Sequence, residues 1–591
     1  MKLLSLSSAL LVLLAPTVSS AAPARSENST YYNPVLPGWH SDPSCTQVDG
    51  TFFCVTSTFI SFPGLPIYAS KDLINWKLAS HVWNRETQLP GVSWNTTGQQ
   101  QGMYAATLRH RDGSFFVVCE YLVTDENIGV VFRSADPFRD EGWSDPVVFH
   151  ADSIDPDLFW DDEGDGKTYV ATQGIVLQEI NLQTGELSQP PVSLWNGTGG
   201  VWPEGPHLYK KDGWYYLMIA EGGTELDHSI TIARSRNLKG PYEAYEHNPI
   251  LTNRGTDEYF QTVGHGDLFQ DAAGNWWGMS LATRSGPDWE IYPMGREAVL
   301  FPVTWDEGSW PVLQPVRGEM SGWPMPPSNR DVPGDGPFNS DPDAYDFVAG
   351  TSIPRNLVHW RVPRAGAFTV TSSRGLQIVP SRNNLTGTPY SEATPELSGQ
   401  QGLSFIGRRQ TDTLFTFSVD LTFDPQEADQ EAGVTVFLTQ VNHIDLGVVL
   451  LPGRSNASCA ARRKREIAET QELALRFRTE GTGTPPEPKI IAVPKDWLDG
   501  PIRLSIEAAN ATHYNLAAMP AANPDARILV GTASAGLVSG GNGSFVGSLV
   551  GAYATCNGAG AGVECPEGGN AYFTRWRYSG AGQYISETEV V

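Results

Sequence analysis

The segment Asp212-Gly213-Trp214-Tyr215-Tyr216 combines a tight turn with strand-forming aromatic residues. Asp-Gly is a strong hairpin signal because glycine adopts positive φ without penalty, and aromatic residues favour strands. The same pattern occurs four more times in the first half of the chain, at Asp49-Gly50-Thr51-Phe52-Phe53, Asp112-Gly113-Ser114-Phe115-Phe116, Asp165-Gly166-Lys167-Thr168-Tyr169 and Ala273-Gly274-Asn275-Trp276-Trp277. Each copy predicts a β-hairpin.

The glycines of successive copies are 63, 53, 47 and 61 residues apart. A unit of this length with several short strands is typical of one propeller blade, and radial packing of blades leaves only short sheet edges exposed. The repeats therefore predict a five-bladed β-propeller over residues 30–320.

Composition agrees with an all-β protein of more than one domain. The chain has 591 residues, with 60 Gly, 43 Pro and 10% aromatic residues, and one domain usually takes about 100 to 200 residues. Its formal charge is −26. Charge of this sign repels phosphates, which argues against nucleic acid and anionic membrane surfaces as partners and leaves a neutral ligand open.

The N-terminus has the pattern of a secretory signal over residues 1–20. Lys2 precedes an apolar run that is too short to span a membrane, and small residues follow it. We therefore expect a secreted, extracellular protein. Glycosylation is expected at several of the Asn-X-Ser/Thr sites, which are Asn28, Asn95, Asn196, Asn384, Asn456, Asn510 and Asn542.

Six cysteines are too few for a dense disulfide framework, and their spacing does not suggest zinc. Two pairs, each nine positions apart around turn-forming residues, are candidates for local bridges: Cys45 with Cys54, and Cys556 with Cys565. We expect the other two, Cys119 and Cys459, to be buried or free.

A second regularity lies eight to eleven residues before each repeat glycine. These positions hold Asp42, Tyr104, Asp155, Glu204 and His265. If they mark the start of the innermost strand of each blade, their side chains converge at one mouth of the central channel. Three carboxylates then share one site, and natural proteins keep such repulsion mainly where function needs it.

Grouped carboxylates suit glycoside hydrolysis. One protonated carboxyl assists the leaving oxygen, an ionised one activates water or attacks the sugar, and a third can raise the pKa of the acid. Any single acid of this set, such as Asp42 before Pro43, could instead cap a turn. Three acids in register favour the catalytic interpretation.

Six short motifs occur in order along the first half: Asn33-Pro34-Val35-Leu36, Ser41-Asp42-Pro43-Ser44, Ile154-Asp155-Pro156-Asp157, Glu204-Gly205-Pro206, Gly264-His265-Gly266-Asp267 and Gly295-Arg296-Glu297. Through these motifs, residues 31–318 resemble glycoside hydrolase family 43, the five-bladed propeller family of β-xylosidases, α-L-arabinofuranosidases and arabinanases.

The resemblance implies an inverting mechanism with Asp42 as general base, Glu204 as general acid and Asp155 as the residue that tunes and orients the acid. It also implies that Arg296 contacts the sugar. His265 would point into the channel, near a water molecule or a structural calcium ion. It implies no required cofactor.

Aromatic side chains are expected to form the sugar platform. Phe59, within Thr56-Ser57-Thr58-Phe59, is similar to a family segment that places Phe against the terminal sugar, and Trp39 and Trp83 are weaker candidates. The second blade departs from the family, because Tyr104-Ala105-Ala106-Thr107 stands where xylosidases usually have Trp-Ala-Pro-Asp. Tyr104 is therefore a candidate for substrate preference.

The second half begins after a Pro- and Gly-rich linker over residues 321–337. Alternating runs such as Leu414–Leu421 predict half-buried strands, and residues 338–591 resemble the concanavalin-like β-sandwich (jelly-roll) domain of many family members. One of its loops could close the pocket. Alternatively, the domain is a separate carbohydrate-binding module.

The sequence thus predicts a secreted exo-glycosidase that removes β-D-xylosyl or α-L-arabinofuranosyl ends from arabinoxylan or xylo-oligosaccharides. Two alternatives stay open at this point. One is a propeller that binds glycans without catalysis, and the other is an arabinan-directed glycosidase of the same family.

Overall fold

The computed structural model describes residues 29–92, 96, 98–123, 127–151, 153–387, 403–452, 471–560 and 564–591. The predicted signal segment, residues 1–20, lies outside them. No helix in the described ranges is both long and apolar enough to cross a membrane.

The first half is a β-propeller. Its strands are β1 (Thr30–Tyr32), β2 (Ser44–Val48), β3 (Thr51–Val55), β4 (Ser61–Phe62), β5 (Gly64–Ser70), β6 (Lys77–Trp83), β7 (Gly102–Arg111), β8 (Ser114–Leu122), β9 (Asn127–Ser134), β10 (Val147–Phe149), β11 (Asp157–Trp160), β12 (Thr168–Thr172), β13 (Val176–Glu179), β14 (Val192–Ser193), β15 (Glu204–Lys211), β16 (Trp214–Glu221), β17 (Ser229–Ser235), β18 (Glu243–Ala244), β19 (Phe260–Gln270), β20 (Trp276–Arg284), β21 (Glu297–Thr304), β22 (Val312–Leu313) and β23 (Glu319–Ser321).

These strands form five antiparallel four-stranded blades, as the repeats predicted. The blades are β2-β3-β5-β6, β7-β8-β9-β10, β11-β12-β13-β14, β15-β16-β17-β18 and β19-β20-β21-β22. Between each pair of neighbouring blades lies one cluster of buried apolar side chains, and the fifth cluster joins the last blade to the first. Pairing of β1 with β23 brings the two ends of the ring together.

Each repeat glycine lies in the turn that joins the first two strands of its blade. At Asp49-Gly50, Asp112-Gly113 and Asp212-Gly213 both central residues have positive φ, which is the backbone of a type I′ hairpin turn. The turns lie at one end of the inner strands. Residues at the start of these strands therefore lie at the opposite mouth of the channel.

The second half is a β-sandwich. Its strands are β24 (Asp343–Tyr345), β25 (His359–Trp360), β26 (Phe368–Val370), β27 (Leu376–Ile378), β28 (Phe405–Arg409), β29 (Leu414–Phe423), β30 (Glu431–Thr439), β31 (Asn442–Pro452), β32 (Gln471–Glu480), β33 (Lys489–Ala492), β34 (Ile502–Asn510), β35 (His513–Pro520), β36 (Ile528–Ser534), β37 (Leu549–Thr555) and β38 (Ala571–Gly582). One sheet has the order β28-β37-β30-β31-β32-β33. The other has the order β26-β27-β38-β29-β34-β35-β36, with β24 added beside β38.

Short 3-10 helices connect strands in both halves. They span Glu86–Gln88, Asp140–Gly142, Lys495–Trp497, Pro524–Ala526, Ala535–Val538 and Gly541–Gly543.

The two halves are joined by extensive contacts. The Pro- and Gly-rich stretch contains no strand between β23 and β24, but it lies along the first blade, where the Leu78 N–H donates to the Pro337 carbonyl at 3.0 Å. β25 of the second half pairs with β4 of the first. The segment 321–337 is thus a packed connection rather than a free tether.

Both predicted disulfides are present, Cys45–Cys54 and Cys556–Cys565. Cys119 is buried and free, whereas Cys459 lies outside the described residues. Of the glycosylation sites, Asn196 and Asn510 are exposed, and Asn28, Asn95 and Asn456 fall outside the described ranges. Glycosylation stays a prediction.

Candidate active site

Five side chains, one from each inner strand or the residues just before it, line one cavity, as their spacing predicted; His265 lies in the middle of β19. They are Asp42, Tyr104, Asp155, Glu204 and His265. The cavity has a volume of about 350 Å³, which lies in the usual range of small-molecule sites. Each blade thus contributes one polar residue to the same space.

Asp42 is held in its ionised form. Its backbone has a φ of 52°, a left-handed conformation that is rare outside glycine and concentrated at functional sites. The Ser57 hydroxyl donates to Asp42 Oδ2 at 2.6 Å, and Arg296 Nη1 donates to Oδ1 at 3.2 Å. Burial favours the neutral form, but Arg296, His265 and the Ser57 hydroxyl outweigh it, so the pKa of Asp42 lies below 3.8.

Glu204 has the opposite environment. Burial, followed by the negative charge of Asp42, raises its pKa to about 7. The Gln173 amide donates to Oε2 at a long 3.4 Å, which stabilises the carboxylate only weakly. Between the pKa of Asp42 and about pH 7, Glu204 therefore carries a proton while Asp42 does not.

The electrostatic environment of Asp155 resembles that of Glu204 rather than that of Asp42. Burial raises its pKa to about 7, with further contributions from the charges of Glu204 and Asp42. The Gly205 N–H donates to Asp155 Oδ2 at 3.0 Å, which ties Asp155 to the residue after Glu204. Because Asp155 and Glu204 interact, they titrate as a pair rather than independently.

Arg296 connects the propeller site to the sandwich. Besides Asp42, its guanidinium donates to the Thr224 hydroxyl at 3.0 Å and to the Phe545 carbonyl at 3.2 Å. The Phe545 N–H donates in turn to Gln100 Oε1 at 2.5 Å, and its ring lines the cavity. The sandwich therefore supplies one wall of the pocket, as one of the two sequence alternatives expected.

The predicted aromatic platform is only partly at the cavity. Phe59 is 1% exposed and lies behind the wall, stacked on Phe545 with centroids 6.1 Å apart and edge-on to Tyr104 at 4.8 Å. Trp39 is fully buried on the other side of Phe59, and Trp83 is fully buried between the first two blades. The structure does not place Trp39 and Trp83 at the cavity, because both side chains complete hydrophobic cores.

Several cavity residues escaped the sequence analysis. Phe545 comes from the other domain, and nothing local in the chain marks it. Trp202 immediately precedes the Pro203-Glu204 pair and could have been found as an aromatic flank of the acid. The remaining cavity residues outside the predicted set are Ala105, Ile154, Gln173, Gly223, Thr224, Glu225 and His228.

Below the carboxyl groups the channel contains a buried ionic network. Arg109 pairs with Asp157 at 2.9 Å and with Asp267 at 2.7 Å, and the His207 ring lies 6.3 Å from that of His265. The described residues contain no group of three or more His, Cys, Asp or Glu side chains arranged to hold a metal ion. Calcium beside His265 stays a prediction, because calcium also takes backbone carbonyls and water molecules as ligands.

Comparison with known proteins agrees with this geometry. The profile of Glycosyl hydrolases family 43 matches residues 31–311, and that of the beta xylosidase C-terminal Concanavalin A-like domain matches residues 346–579. A non-reducing end alpha-L-arabinofuranosidase of Bacteroides ovatus is 35% identical over 449 residues, covering 75% of this chain and 80% of that protein. A xylosidase/arabinosidase of Butyrivibrio fibrisolvens is 31% identical over 567 residues, covering 92% and 98%.

A solved structure shares the whole architecture. The xylan beta-1,4-xylosidase from Bacillus halodurans superposes with a TM-score of 0.76 at 25% identity, covering 93% of this chain and 99% of that one. Together with the carboxyl-lined propeller cavity and the sandwich wall, these matches show that the chain belongs to glycosyl hydrolase family 43 and is a glycoside hydrolase.

Proposed function

We propose that this glycoside hydrolase removes terminal β-D-xylosyl or α-L-arabinofuranosyl residues from arabinoxylan or xylo-oligosaccharides, with inversion at the anomeric carbon. The observation that carries the proposal is that two carboxyl groups in one cavity have pKa values shifted in opposite directions. Asp42 has a lowered pKa and Glu204 a raised one. Ionised base and protonated acid thus coexist in the slightly acidic range.

The steps follow from these protonation states. The Asp42 carboxylate removes a proton from a water molecule, which attacks the anomeric carbon. Glu204 gives its proton to the glycosidic oxygen on the opposite face of the sugar. Inversion requires room for that water, so the two carboxyls of an inverting enzyme lie about 6.5 to 9.5 Å apart.

Asp155 supports the acid. Its carboxylate accepts from the Gly205 N–H, which fixes the backbone beside Glu204. Because the two carboxyls are coupled, ionisation of either one opposes ionisation of the other. We assign to Asp155 the orientation and pKa tuning of Glu204, rather than a direct proton transfer.

The limited size of the pocket supports removal of terminal sugars. The Phe545 wall and the Arg296 guanidinium bound to its carbonyl close the Asp42 side of the cavity. A site of about 350 Å³ accommodates one terminal sugar more readily than the middle of a chain. The printed names of the relatives include both xylosidase and arabinosidase activities.

An arabinan-directed activity is the second candidate. It is supported by the arabinofuranosidase name of the Bacteroides ovatus relative and by Tyr104 and Ala105 in the second blade, which line the cavity in place of the family's Trp-Ala pair. Release of arabinose from arabinan faster than from arabinoxylan would favour it.

Export and calcium binding are separate parts of the proposal. Export rests on residues 1–20 and is tested by sequencing the N-terminus of the mature protein. A calcium ion beside His265 takes part in no step above. A chelator-dependent loss of thermal stability would support it.

The test is a set of initial rates on phenyl β-D-xylopyranoside and phenyl α-L-arabinofuranoside, whose unactivated phenol leaves poorly without protonation. Glu204→Gln serves as the inactive reference, and Glu243→Gln, at an exposed position, serves as the matched control. We expect turnover by wild type and by Glu243→Gln and almost none by Glu204→Gln. Unchanged turnover in Glu204→Gln would reject the assignment.

The stereochemistry needs a second measurement. An NMR time course should show the inverted anomer first, followed by slow mutarotation. Initial appearance of the retained anomer would reject the single-displacement mechanism while leaving the glycosidase activity intact.

A further inference from the structure

The side chain of Trp202 is 66% exposed, more than any other large hydrophobic residue that the structure describes. It lines the active-site cavity together with Glu204, two positions further along the chain. A single exposed apolar residue is common on protein surfaces. The backbone that carries Trp202, however, is unusual.

Trp202 has a φ of 51°, a left-handed conformation that is an outlier for a bulky residue. The segment before it is held in place. The Gly222 N–H donates to the Val201 carbonyl at 2.8 Å, and the buried Glu221 carboxylate accepts from the Gly200 N–H at 3.1 Å. Strained conformations persist where their surroundings fix them, and they concentrate at ligand sites. The indole is thus presented to solvent from a fixed position.

A carboxylate lies beside the indole. A β-carbon built on Gly223 would lie 2.9 Å from Glu225 Oε2 and 3.8 Å from Trp202 Cδ1. The ring and the carboxylate therefore flank the same space, which glycine leaves open. Glu225 is exposed and also lines the cavity. An aromatic face next to a hydrogen-bond acceptor suits a sugar, which presents both C–H groups and hydroxyls.

The position of Trp202 and Glu225 relative to the general acid Glu204 decides whether they contact the terminal sugar or the leaving group. Glu204 must reach the glycosidic oxygen, so the leaving group lies on the Glu204 side of the bond. Arg296 and Phe545 enclose the Asp42 side instead.

Thr224, which accepts from Arg296 at 3.0 Å, lies at the border between the two sides. Trp202 is two positions from Glu204 in the chain, and the charge of Glu225 acts on the Glu204 carboxyl. Trp202 and Glu225 therefore lie on the side of the acid and face the leaving group rather than the terminal sugar.

We propose that Trp202 and Glu225 form a subsite for the leaving group, in which the indole stacks on a pyranose ring and the Glu225 carboxylate accepts from one of its hydroxyls. The inference rests on the proposed function and makes it more specific. It assigns as substrates glycans whose terminal sugar is linked to an uncharged pyranose, such as a xylosyl residue of xylan. A carboxylated sugar would be repelled by Glu225.

The experiment compares two substrates with the same terminal sugar and similarly poor alkoxide leaving groups. One is the methyl glycoside, and the other has xylose in place of methanol. Trp202→Ala should lower kcat/KM on the xylose-linked substrate by about 10-fold or more, and change kcat/KM on the methyl glycoside less than about 2-fold. Trp202→Tyr should retain most of the activity. Glu225→Gln should affect the same substrate, more weakly.

Val201→Ala is the matched control, because Val201 is the adjacent residue and is 61% exposed. It should leave both substrates unaffected. If Trp202→Ala lowers kcat/KM equally on both substrates, or on neither, the subsite is overturned. Turnover of the substrates by the wild-type enzyme still upholds the proposed function in that case. Wild-type enzyme that hydrolyses neither substrate, even at the pH of highest aryl-glycoside turnover, would overturn both.

Discussion

Replacing Asp155 by Asn should stabilise the fold and impair the enzyme. Asp155 is 6% exposed and must carry a negative charge beside two other carboxyls when it ionises. Asn keeps an oxygen that can accept from the Gly205 N–H. It also tolerates the left-handed backbone, with φ of 57°. The substitution therefore removes mainly the charge.

The magnitude follows from the pKa of Asp155, which rises from 3.8 to about 7 on folding. Between these pH values the folded protein binds a proton that the unfolded chain has lost, so the free energy of unfolding falls as pH rises. One pKa unit corresponds to about 1.4 kcal/mol. Because Asp155 is already half ionised near pH 7, the loss is about 2 kcal/mol between pH 5 and pH 7 and about 3 kcal/mol between pH 5 and pH 8. The Asp155→Asn variant has no carboxyl to ionise at this position, so its free energy of unfolding does not show this fall with pH.

The assay is urea unfolding followed by tryptophan fluorescence at pH 5 and pH 8. The stability of Asp155→Asn relative to wild type should increase by about 3 kcal/mol between these pH values, while kcat/KM falls at both. Asp49→Asn is the control, because Asp49 has the same left-handed backbone in an exposed turn. A stability difference that stays constant or shrinks as pH rises would refute the electrostatic reasoning.

Three further outcomes are expected. Phe545→Ala should raise KM for aryl glycosides by about 2- to 10-fold, since it removes an aromatic wall; unchanged KM would exclude contact with the sugar. In a pH profile, kcat/KM should decline above about pH 7 as the Glu204–Asp155 pair ionises, and a plateau extending to pH 9 would contradict this. Glu297→Ala should lower stability by about 3 to 5 kcal/mol, because it leaves the buried Arg284 guanidinium without its partner; calorimetry measures this, and a loss below 1 kcal/mol would contradict it.

The propeller and its three carboxyls could be predicted because their signals are local. Type I′ turns demand residues that accept positive φ, so Asp-Gly forms this turn in three of the inner hairpins, and a glycine lies in the corresponding turn of all five. Once the turns were placed, the similar spacing of eight to eleven residues before each repeat glycine put Asp42, Asp155 and Glu204 at one mouth. The disulfide between Cys45 and Cys54 was equally local, since both residues lie on one hairpin.

The pocket wall could not be predicted, because it is made by tertiary packing. Phe545 reaches the cavity from the sandwich, more than 240 positions from Arg296, whose guanidinium binds its carbonyl. Amino-acid composition also cannot distinguish a tryptophan that is exposed at the cavity from one that is buried in a hydrophobic core. Trp39 and Trp83 are fully buried, whereas Trp202 is exposed, and only packing against neighbouring strands makes the difference.

The most direct test of the assigned roles is the dependence of rate on the leaving group. A dinitrophenyl glycoside needs little protonation to depart, whereas a xylose-linked substrate needs the acid fully. Glu204→Gln should therefore lose about 10²- to 10⁴-fold on the xylose-linked substrate and far less on the dinitrophenyl glycoside. Asp42→Asn should lose heavily on both, because water must be activated in either case. Equal losses in Glu204→Gln on both substrates, or a leaving-group effect confined to Asp42→Asn, would contradict the division of acid and base between these two residues.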